Sequence, residues 1–278
     1  MALALLILAV IAGLIALLWI IGAREPVYAI AKGGEPHWFI AVRGEAGALA
    51  PGVTERWSSR TDFTIIGAAP DAAYWQHFIV ASGGDPATLP IAIESAEDAY
   101  VAHIKLRRPL PLLLGILKTL IALGILSKPH GPIVRDAQAL NFRADVMPST
   151  ASIARLLAQP PSYAPAMVNF LAYYEDAKYH PAQAGVSGRT AYMRYGVVAM
   201  RTVYRTGGHL LFSGRILSVL REAQSGPTVG RWDDVAAMRY PNPPAILSME
   251  HAPDYHAALV DRDAGLERTL VIATTPNG

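Results

Sequence analysis

Histidine and tyrosine side chains give this sequence its best-placed acid–base groups. His209 follows two glycines at the beginning of an apolar run, HLLFSGRIL, and Tyr195 lies in the helical pattern just before it. Because a histidine titrates near neutral pH, His209 could act as a general base, and Tyr195 could orient or protonate a substrate oxygen. The competing interpretation is a surface histidine with an ordinary hydrogen bond and a tyrosine packed in the core. The residues alone favour this second interpretation.

Asn169 is the other polar residue that the pattern singles out. It lies in the run AMVNFLAYY at residues 166–174, whose alternation predicts a half-buried strand. A buried amide must find hydrogen-bond partners. Asn169 therefore either binds a ligand or joins two backbone edges, and the structural use is favoured.

The common catalytic and metal-binding motifs do not occur in the sequence. GxGxxG, GxxxxGK[ST], GxSxG and HExxH are all absent. His251 and His256 lie five residues apart, which does not give the i, i+4 spacing of a zinc-binding helix. The chain has no cysteine, which excludes disulfides, thiolate metal sites and thiol nucleophiles. We therefore predict no metal site and no cofactor.

The composition is typical of a folded protein that contacts a membrane. Hydrophobic residues make up 52% of the 278 residues and charged residues 17%, with a mean hydropathy of +0.27. Soluble domains usually carry about 25% charged residues. The net charge is +2, with +1 on each side of Pro160, so neither half offers a basic face and we expect no nucleic-acid partner.

The segment from Ala2 to Ile21 predicts a membrane anchor. It contains 20 residues without a charge, and at 1.5 Å per residue such a helix spans about 30 Å, the thickness of a bilayer core. A cleavable signal peptide is the alternative. No Lys or Arg precedes the run, however, and GAREP after it is a poor cleavage site, so we predict an uncleaved anchor over residues 1–24. The expected lipid contacts include Ala2, Leu5, Ile11, Leu17, Trp19 and Ile21.

The orientation of this anchor follows from the charges beside it. Arg24, Lys32 and Arg43 all come after the helix. The positive-inside tendency therefore favours a single-pass protein of a bacterial-type inner membrane with its C-terminal body in the cytoplasm. Three charges leave the periplasmic side open.

A second apolar run, Leu110–Leu126, is interrupted by Lys118. On a helix, Lys118 falls in one small-or-polar stripe with Gly115, Thr119 and Ala122. Three interpretations remain: a helix lying on the bilayer surface, a buried helix of the body, and a second span. We favour the first. The second span is ranked last, because a lysine in the middle of a span is costly. The expected membrane contacts are Leu113, Leu117 and Leu120.

The body divides into three parts. Residues 25–108 predict a small α+β unit, one interpretation of which is a second plait-like half. Its expected strands are 27–31, 38–42, 62–67 and 99–106, and its expected helix is 71–80, capped by Asp71. Residues 109–159 comprise the amphipathic helix and a connector that ends in a short helix, 150–158. The pair Pro160-Pro161 marks the boundary of residues 160–278.

Residues 160–278 predict a ferredoxin-like domain. The pattern reads β-α-β-β-α-β, so the overall fold class is α+β. The expected strands are 166–174, 209–217, 232–240 and 268–275, and the expected helices are 189–205, 245–250 and 255–260. Two helices cover only one face of a four-stranded sheet. We expect the other face to pack on a second sheet, from residues 25–108 of the same chain rather than from a second copy.

This C-terminal part resembles a known family. The segments MVNFL, LLFSGRI, WDDVAAMRYPNPPAILSM and PDYHAALVDRDAGLERTLVIATTP, within residues 163–276, are similar to domain-of-unknown-function family 1330. The resemblance implies a dimeric α+β barrel, akin to antibiotic-biosynthesis monooxygenases. It also implies an apolar cleft between sheet and helices, which in related enzymes holds an aromatic or polyketide-like substrate. The candidate lining residues are Asn169, Tyr192, Tyr195, His209, Arg215, Trp232 and Arg239.

These features favour a membrane-anchored, non-catalytic accessory or binding protein. Its partners would be the lipid bilayer and another membrane protein or a second copy of itself. Two alternatives stay open: a cofactor-independent monooxygenase- or cyclase-like enzyme that acts on a hydrophobic substrate, and a lipid- or quinone-handling module. The interior of the C-terminal domain discriminates between them. An open apolar cleft with inward polar groups favours the enzyme, whereas a filled interior favours the accessory role.

Overall fold

A computed structural model of the chain describes residues 2–67, 73–129 and 143–277. It contains eight strands: β1 (His37–Gly44), β2 (Val53–Ile66), β3 (His77–Gly83), β4 (Ala96–Leu106), β5 (Ala166–Tyr173), β6 (His209–Arg221), β7 (Asp234–Arg239) and β8 (Leu266–Pro276). Its α-helices are α1 (Ala2–Ala23), α2 (Pro26–Ile30), α3 (Pro111–Ala122), α4 (Thr150–Leu157), α5 (Gly188–Arg205), α6 (Pro243–Leu247) and α7 (Pro253–Gly265). The predicted α+β class is confirmed.

The eight strands close into one antiparallel barrel. The first four are ordered β4-β1-β3-β2 and the last four β8-β5-β7-β6, so both halves use the same order of strands. The halves join where β2 pairs with β8 and where β4 pairs with β6. Residues 25–108 therefore supply the second sheet that β5–β8 needed, and they do so within one chain.

Aromatic side chains from both halves fill the interior of the barrel. Phe39, Phe78, Phe170 and Phe212 are fully buried there. The ring of Phe39 from β1 meets that of Phe170 from β5 edge-on, with 5.2 Å between their centroids. Edge-to-face pairs at this distance stabilise a core beyond the area they bury. The inside of the barrel is thus a packed core to which each half contributes.

Loops cover the outer face of the first half. Trp38 and Ile40 of β1 and Ile79 of β3 point away from the barrel and are buried. The chain returns across them in residues 45–52 and 84–95, where Leu49 bridges to Ile91. No helix lies over this face among the described residues, and the loops fill it directly.

Two predictions of secondary structure in this half were wrong. Residues 27–31 form the helix α2 instead of a strand, because Pro26 begins a helical turn and buries Val27 and Ile30 three residues apart. The expected helix 71–80 is replaced by β3 from His77, because its alternating residues are needed on both faces of the sheet. The proposed Asp71 cap and connector residues 130–142 lie outside the described residues.

Helices cover the outer face of the second half. The expected helix 189–205 is confirmed as α5, with Ser187 as its N-cap, and α7 packs beside it. The short helix expected at 150–158 is confirmed as α4, which Ser149 caps by accepting from the backbone of Ser152. Strand β5 is buried on both faces rather than half-buried, because the barrel core lies on one side of it and the helices on the other.

Helix α1 is long and apolar enough to cross a bilayer, although a signal sequence can have the same length and composition. Its residues are exposed except where it meets α3. The two helices run antiparallel and touch at two glycines. A Cβ at Gly22 would lie 1.8 Å from the Pro111 carbonyl oxygen, and one at Gly115 would lie 1.8 Å from that of Leu18. Glycine is therefore required at both points of contact.

Candidate functional site

A mostly apolar cleft of about 710 Å³ separates the second half of the barrel from its helices. Its floor is the outer face of the sheet, including Met167, Asn169 and Met238. Its walls come from α3, α5, α7 and the region around α6. Sites for small organic ligands typically measure about 300–1,000 Å³ and have mostly apolar walls with a few polar groups. The cleft has this size and character.

The mouth of the cleft lies between α3 and α5. Among the lining residues, Leu110 and Leu113 beside and on α3 are 48% and 60% exposed, and Val197 on α5 is 66% exposed. Gly196, next to Val197, also lines the cleft, and a Cβ there would meet nothing within 4 Å. The exposed lining is therefore mostly apolar on both sides, and Arg108 beside α3 is an exposed charged residue within it.

An ion-paired network reaches one side of the cleft. Asp234 is 1% exposed and accepts hydrogen bonds from Arg107 at 2.7 Å, from Arg189 at 3.0 Å and from the Tyr173 hydroxyl at 2.8 Å. Arg107 and Tyr173 line the cleft. The carboxylate of Asp234 offsets the positive charge of one of the two arginines. The hydrogen bonds that it accepts fix the positions of all three partner side chains.

Three tyrosines and an arginine form the other polar part of the lining. The rings of Tyr192 and Tyr195 lie 5.4 Å apart, and the hydroxyl oxygens of Tyr195 and Tyr255 are separated by 3.2 Å. Burial raises the pKa of Tyr192 and of Tyr255, so both hydroxyls stay protonated and can donate hydrogen bonds. Arg262 lines the cleft beside them and is 7% exposed.

Asn169 lies on the floor of the cleft. Its Nδ2 atom donates to the carbonyl oxygen of Met167 at 2.8 Å, and more weakly to that of Ala236 at 3.5 Å. The amide therefore joins two neighbouring strands while facing the cleft. Both of its predicted uses are compatible with this position.

The structure brings three of the seven predicted lining residues, Asn169, Tyr192 and Tyr195, into the cleft. Arg215 and Arg239 are exposed on β6 and β7 and are not part of the lining. Trp232 is 5% exposed inside the barrel, where Arg268 stacks on its ring at 4.1 Å. Ala236 and Met238 of β7 line the cleft, and the alternation of side chains along a strand places Arg239 on the opposite face.

His209, the proposed base, lies outside the cleft lining. Its Nδ1 atom is 2.9 Å from a carboxylate oxygen of Glu25, which also pairs with Lys118. Burial alone would raise the pKa of Glu25, but the hydrogen bonds from His209 and Lys118 outweigh it and hold this pKa at about 2. Through these contacts, Glu25 before α2, Lys118 of α3 and His209 at the start of β6 hold the three elements together.

Sequence reasoning missed Arg107, Asp234 and Arg262. Arg107 directly follows β4 and Asp234 begins β7. These positions are far apart in the chain, so the spacing of residues in the sequence could not reveal that they pair. The sequence did contain an indication that Arg262 is buried. It follows Ala258 and Leu259 at helical spacing and therefore falls on the apolar face of α7. Among the described residues, no group of three or more His, Cys, Asp or Glu side chains could hold a metal ion.

Two solved structures are similar to part of the chain. A protein of unknown function from Rhodopseudomonas palustris, a structural genomics target, is 26% identical, with 48% of this chain and 97% of that chain covered and a TM-score of 0.42. The methylated form of that protein is also 26% identical, with 48% and 95% covered and a TM-score of 0.43. No family model and no curated protein matches the chain. The resemblance to domain-of-unknown-function family 1330 therefore stays a prediction.

Proposed function

We propose that the protein is a membrane-anchored binding protein that holds a hydrophobic small molecule, drawn from the bilayer, in the cleft of its C-terminal half. The observation that carries the proposal is the cleft itself, about 710 Å³ with mostly apolar walls and a mostly apolar mouth. Burial of each methylene group of a ligand there stabilises the complex by about 0.8 kcal/mol. Residues 160–278, with their β8-β5-β7-β6 order, fit the proposed ferredoxin-like domain.

The position of the mouth supports a source of the ligand in the membrane. Leu113 and Ile116 of α3 are exposed, and α3 runs antiparallel beside the C-terminal part of α1. If α1 spans a bilayer, α3 enters the membrane next to it, rather than lying flat on the surface. The mouth then faces the interfacial region, where amphipathic molecules are concentrated.

Retention of α1 is part of this proposal. The residues directly after it, Glu25 and Val27, are 2% and 0% exposed within the body. Lys118, which interrupted the second apolar run, pairs with Glu25 instead of facing lipid. We expect the protein in the membrane fraction after a carbonate wash, with a mature N-terminus before residue 22. Recovery in the soluble fraction would contradict the anchor, and the cytoplasmic location of the body stays a prediction.

An enzymatic role is the second candidate. By the criterion set from the sequence, an open cleft with inward polar groups favours an enzyme over a purely structural accessory role. The base suggested for it, His209, is bound to Glu25 instead of lining the cleft. A cyclase- or monooxygenase-like reaction would need another base, so the geometry supports binding best. A partner membrane protein or a second copy stays a prediction.

The test is photo-crosslinking in a membrane. We expect the full chain, reconstituted in nanodiscs with a diazirine-bearing fatty acid, to be labelled on peptides of α3 and α5. Gly196→Trp should abolish this labelling, because its side chain fills the open space at the mouth. Gly34→Trp is the matched control, since a Cβ at that exposed position also meets nothing within 4 Å. Equal labelling of both variants would overturn the proposal.

A further inference from the structure

We propose that the molecule held in the cleft is a single-chain amphiphile with a carboxylate headgroup and that Arg262 binds this carboxylate. The inference rests on the proposed function, since it specifies the ligand of the same cleft. It depends on one side chain whose burial and partners differ from those of the other cationic residues in the lining.

Arg262 is a buried cation without a carboxylate partner among the described residues. Its side chain lies on α7, is 7% exposed, and has its Nη1 atom 3.3 Å from the sulfur of Met147. A thioether is a weak acceptor, and a guanidinium carries five N–H donors. Burial of such a group is strongly unfavourable unless an anion or several acceptors bind it.

Among the described residues, no carboxylate makes an ion pair with Arg262. Asp145 pairs with Arg143 at 2.7 Å and feels the charge of Arg262 more weakly, and Asp263 accepts from the backbone N–H of Arg143 at 3.1 Å. Glu250, which also lines the cleft, lies 3.8 Å from His256. Asp261 accepts from the hydroxyl of Tyr179. Arg262 therefore has donor capacity left, and it lines the cleft in which a ligand would bind.

The other cationic residues of the lining have hydrogen-bonding partners and are more exposed than Arg262. Arg107 shares Asp234 with Arg189, and Arg201 shares Asp254 with Arg205. Arg108 is exposed and donates to the carbonyl oxygen of Gly33 at 2.6 Å. Arg262 is thus the deeply buried cationic residue of the lining that has no ion pair among the described residues, and it can bind one anionic headgroup.

The surroundings of Arg262 suit a carboxylate. Its guanidinium carbon lies 5.9 Å from the centroid of the Tyr195 ring, a distance at which the ring stabilises the cation in part. The planar guanidinium fits a carboxylate with two parallel hydrogen bonds. The hydroxyls of Tyr192, Tyr195 and Tyr255 add hydrogen-bond donors nearby, and the remaining apolar lining accommodates an acyl chain.

The experiment compares hexadecanoic acid with its methyl ester, which has the same chain and no charge. The full chain in dodecyl maltoside micelles at pH 8 is incubated with each compound, and occupancy is measured by native mass spectrometry. A charge-assisted hydrogen bond strengthens binding by about ten-fold or more, so we expect the wild-type protein to prefer the acid by at least that factor. Arg262→Gln should reduce the preference to about one by weakening acid binding alone. Arg239→Gln, outside the cleft, should leave it unchanged.

The outcomes separate the two proposals. Equal binding of acid and ester by the wild-type protein would overturn the headgroup assignment and leave the proposed function in place. The same holds if Arg262→Gln binds the acid as well as wild type does. The wild-type ratio is decisive even if this variant fails to fold. Binding of neither compound would overturn the proposed function and the headgroup assignment together.

Discussion

The two halves of the barrel share one strand order and differ in what covers their outer faces. Over β1–β4, two loops pack directly on Trp38 and Ile40, and both side chains are 0% exposed. Over β5–β8, helices α5 and α7 lie on the sheet but enclose the cleft of about 710 Å³. A loop follows the surface of a sheet, whereas two rigid helices touch it only along their axes and can leave a gap between them. The covering elements, rather than the sheet, therefore determine where a ligand can bind.

The largest effect should come from the core that both halves share. Phe170→Ala removes the ring that contacts Phe39, Phe78, Tyr100 and Trp232, and we expect it to lower the free energy of unfolding by about 4 kcal/mol. Denaturant unfolding of the full chain in detergent micelles measures this loss. A single transition is expected because β1–β4 and β5–β8 close one barrel. Two separate transitions would mean that the halves are independent.

We expect the side chains under the loops of the first half to be packed nearly as densely as those of a protein core. Ile91 is 2% exposed and packs in the cluster under the loops, so Ile91→Ala should cost about 3 kcal/mol. The same unfolding measurement applies, with Leu89→Ala as the control, since Leu89 is 36% exposed on the same loop. A loss below that of the control would show that the loops do not seal this face.

The helical cover of the second half should be more tolerant. Met238 is half-buried on the floor of the cleft, and we expect Met238→Ala to cost about 1.5 kcal/mol. Its side chain already borders a cavity, so truncation enlarges an existing space instead of creating a new one. If Met238→Ala lowered the free energy of unfolding as much as Ile91→Ala does, the helices over β5–β8 would be packed as densely as the loops over β1–β4.

The contacts of Glu25 with Lys118 and His209, which join α2 and α3 to β6, should make the stability of the protein depend on pH in the acidic range. The pKa of Glu25 is lowered from 4.5 to about 2, so its carboxylate stabilises the fold above about pH 4.5 and this contribution is lost as the pH falls towards 2. Glu25→Gln should lower stability at neutral pH and flatten the profile over this window. Glu35→Gln, at an exposed site, is the control. An unchanged profile in Glu25→Gln would contradict the role of the pair.

The smallest effect should be a gain in stability. Gly196 lies inside α5 facing open space, so Gly196→Ala should stabilise the protein by about 1 kcal/mol through helix propensity. Gly188→Ala in the same helix should destabilise it, because its Cβ would lie 2.4 Å from the carbonyl oxygen of Tyr174. Thermal unfolding of both variants checks the pair. A loss of stability in Gly196→Ala would mean that the cleft is filled at this point.

Sequence patterns predicted the second half better than the first. Helix α5 and strands β5–β8 were predicted near their observed bounds, because a 3.6-residue period and a two-residue period are distinct over long segments. In the first half, β-branched and aromatic residues were ambiguous over short segments. The contacts with loops and with β8 decided the structure there, and local propensity does not contain that information.

The cleft could be predicted only in part. Asn169, Tyr192 and Tyr195 were found because each lies on an element whose facing side follows from its period. Arg107 and Asp234 meet across 127 residues of sequence, and nothing in their local pattern reports this pairing. His209 was assigned to the cleft from its position at the start of a strand. Glu25, which lies just before a segment expected to be a strand, binds it instead.

Closure of the barrel by one continuous chain also has a consequence for stoichiometry. Two identical subunits that close such a barrel are equivalent, so every substitution appears on both outer faces and any site occurs twice. Here β1–β4 and β5–β8 are encoded separately, and each face can diverge without altering the other. One face has a cover of loops and the other has the cleft. In the part of the chain that the structure describes, the cleft therefore belongs to the second half alone, at one fixed position relative to α1.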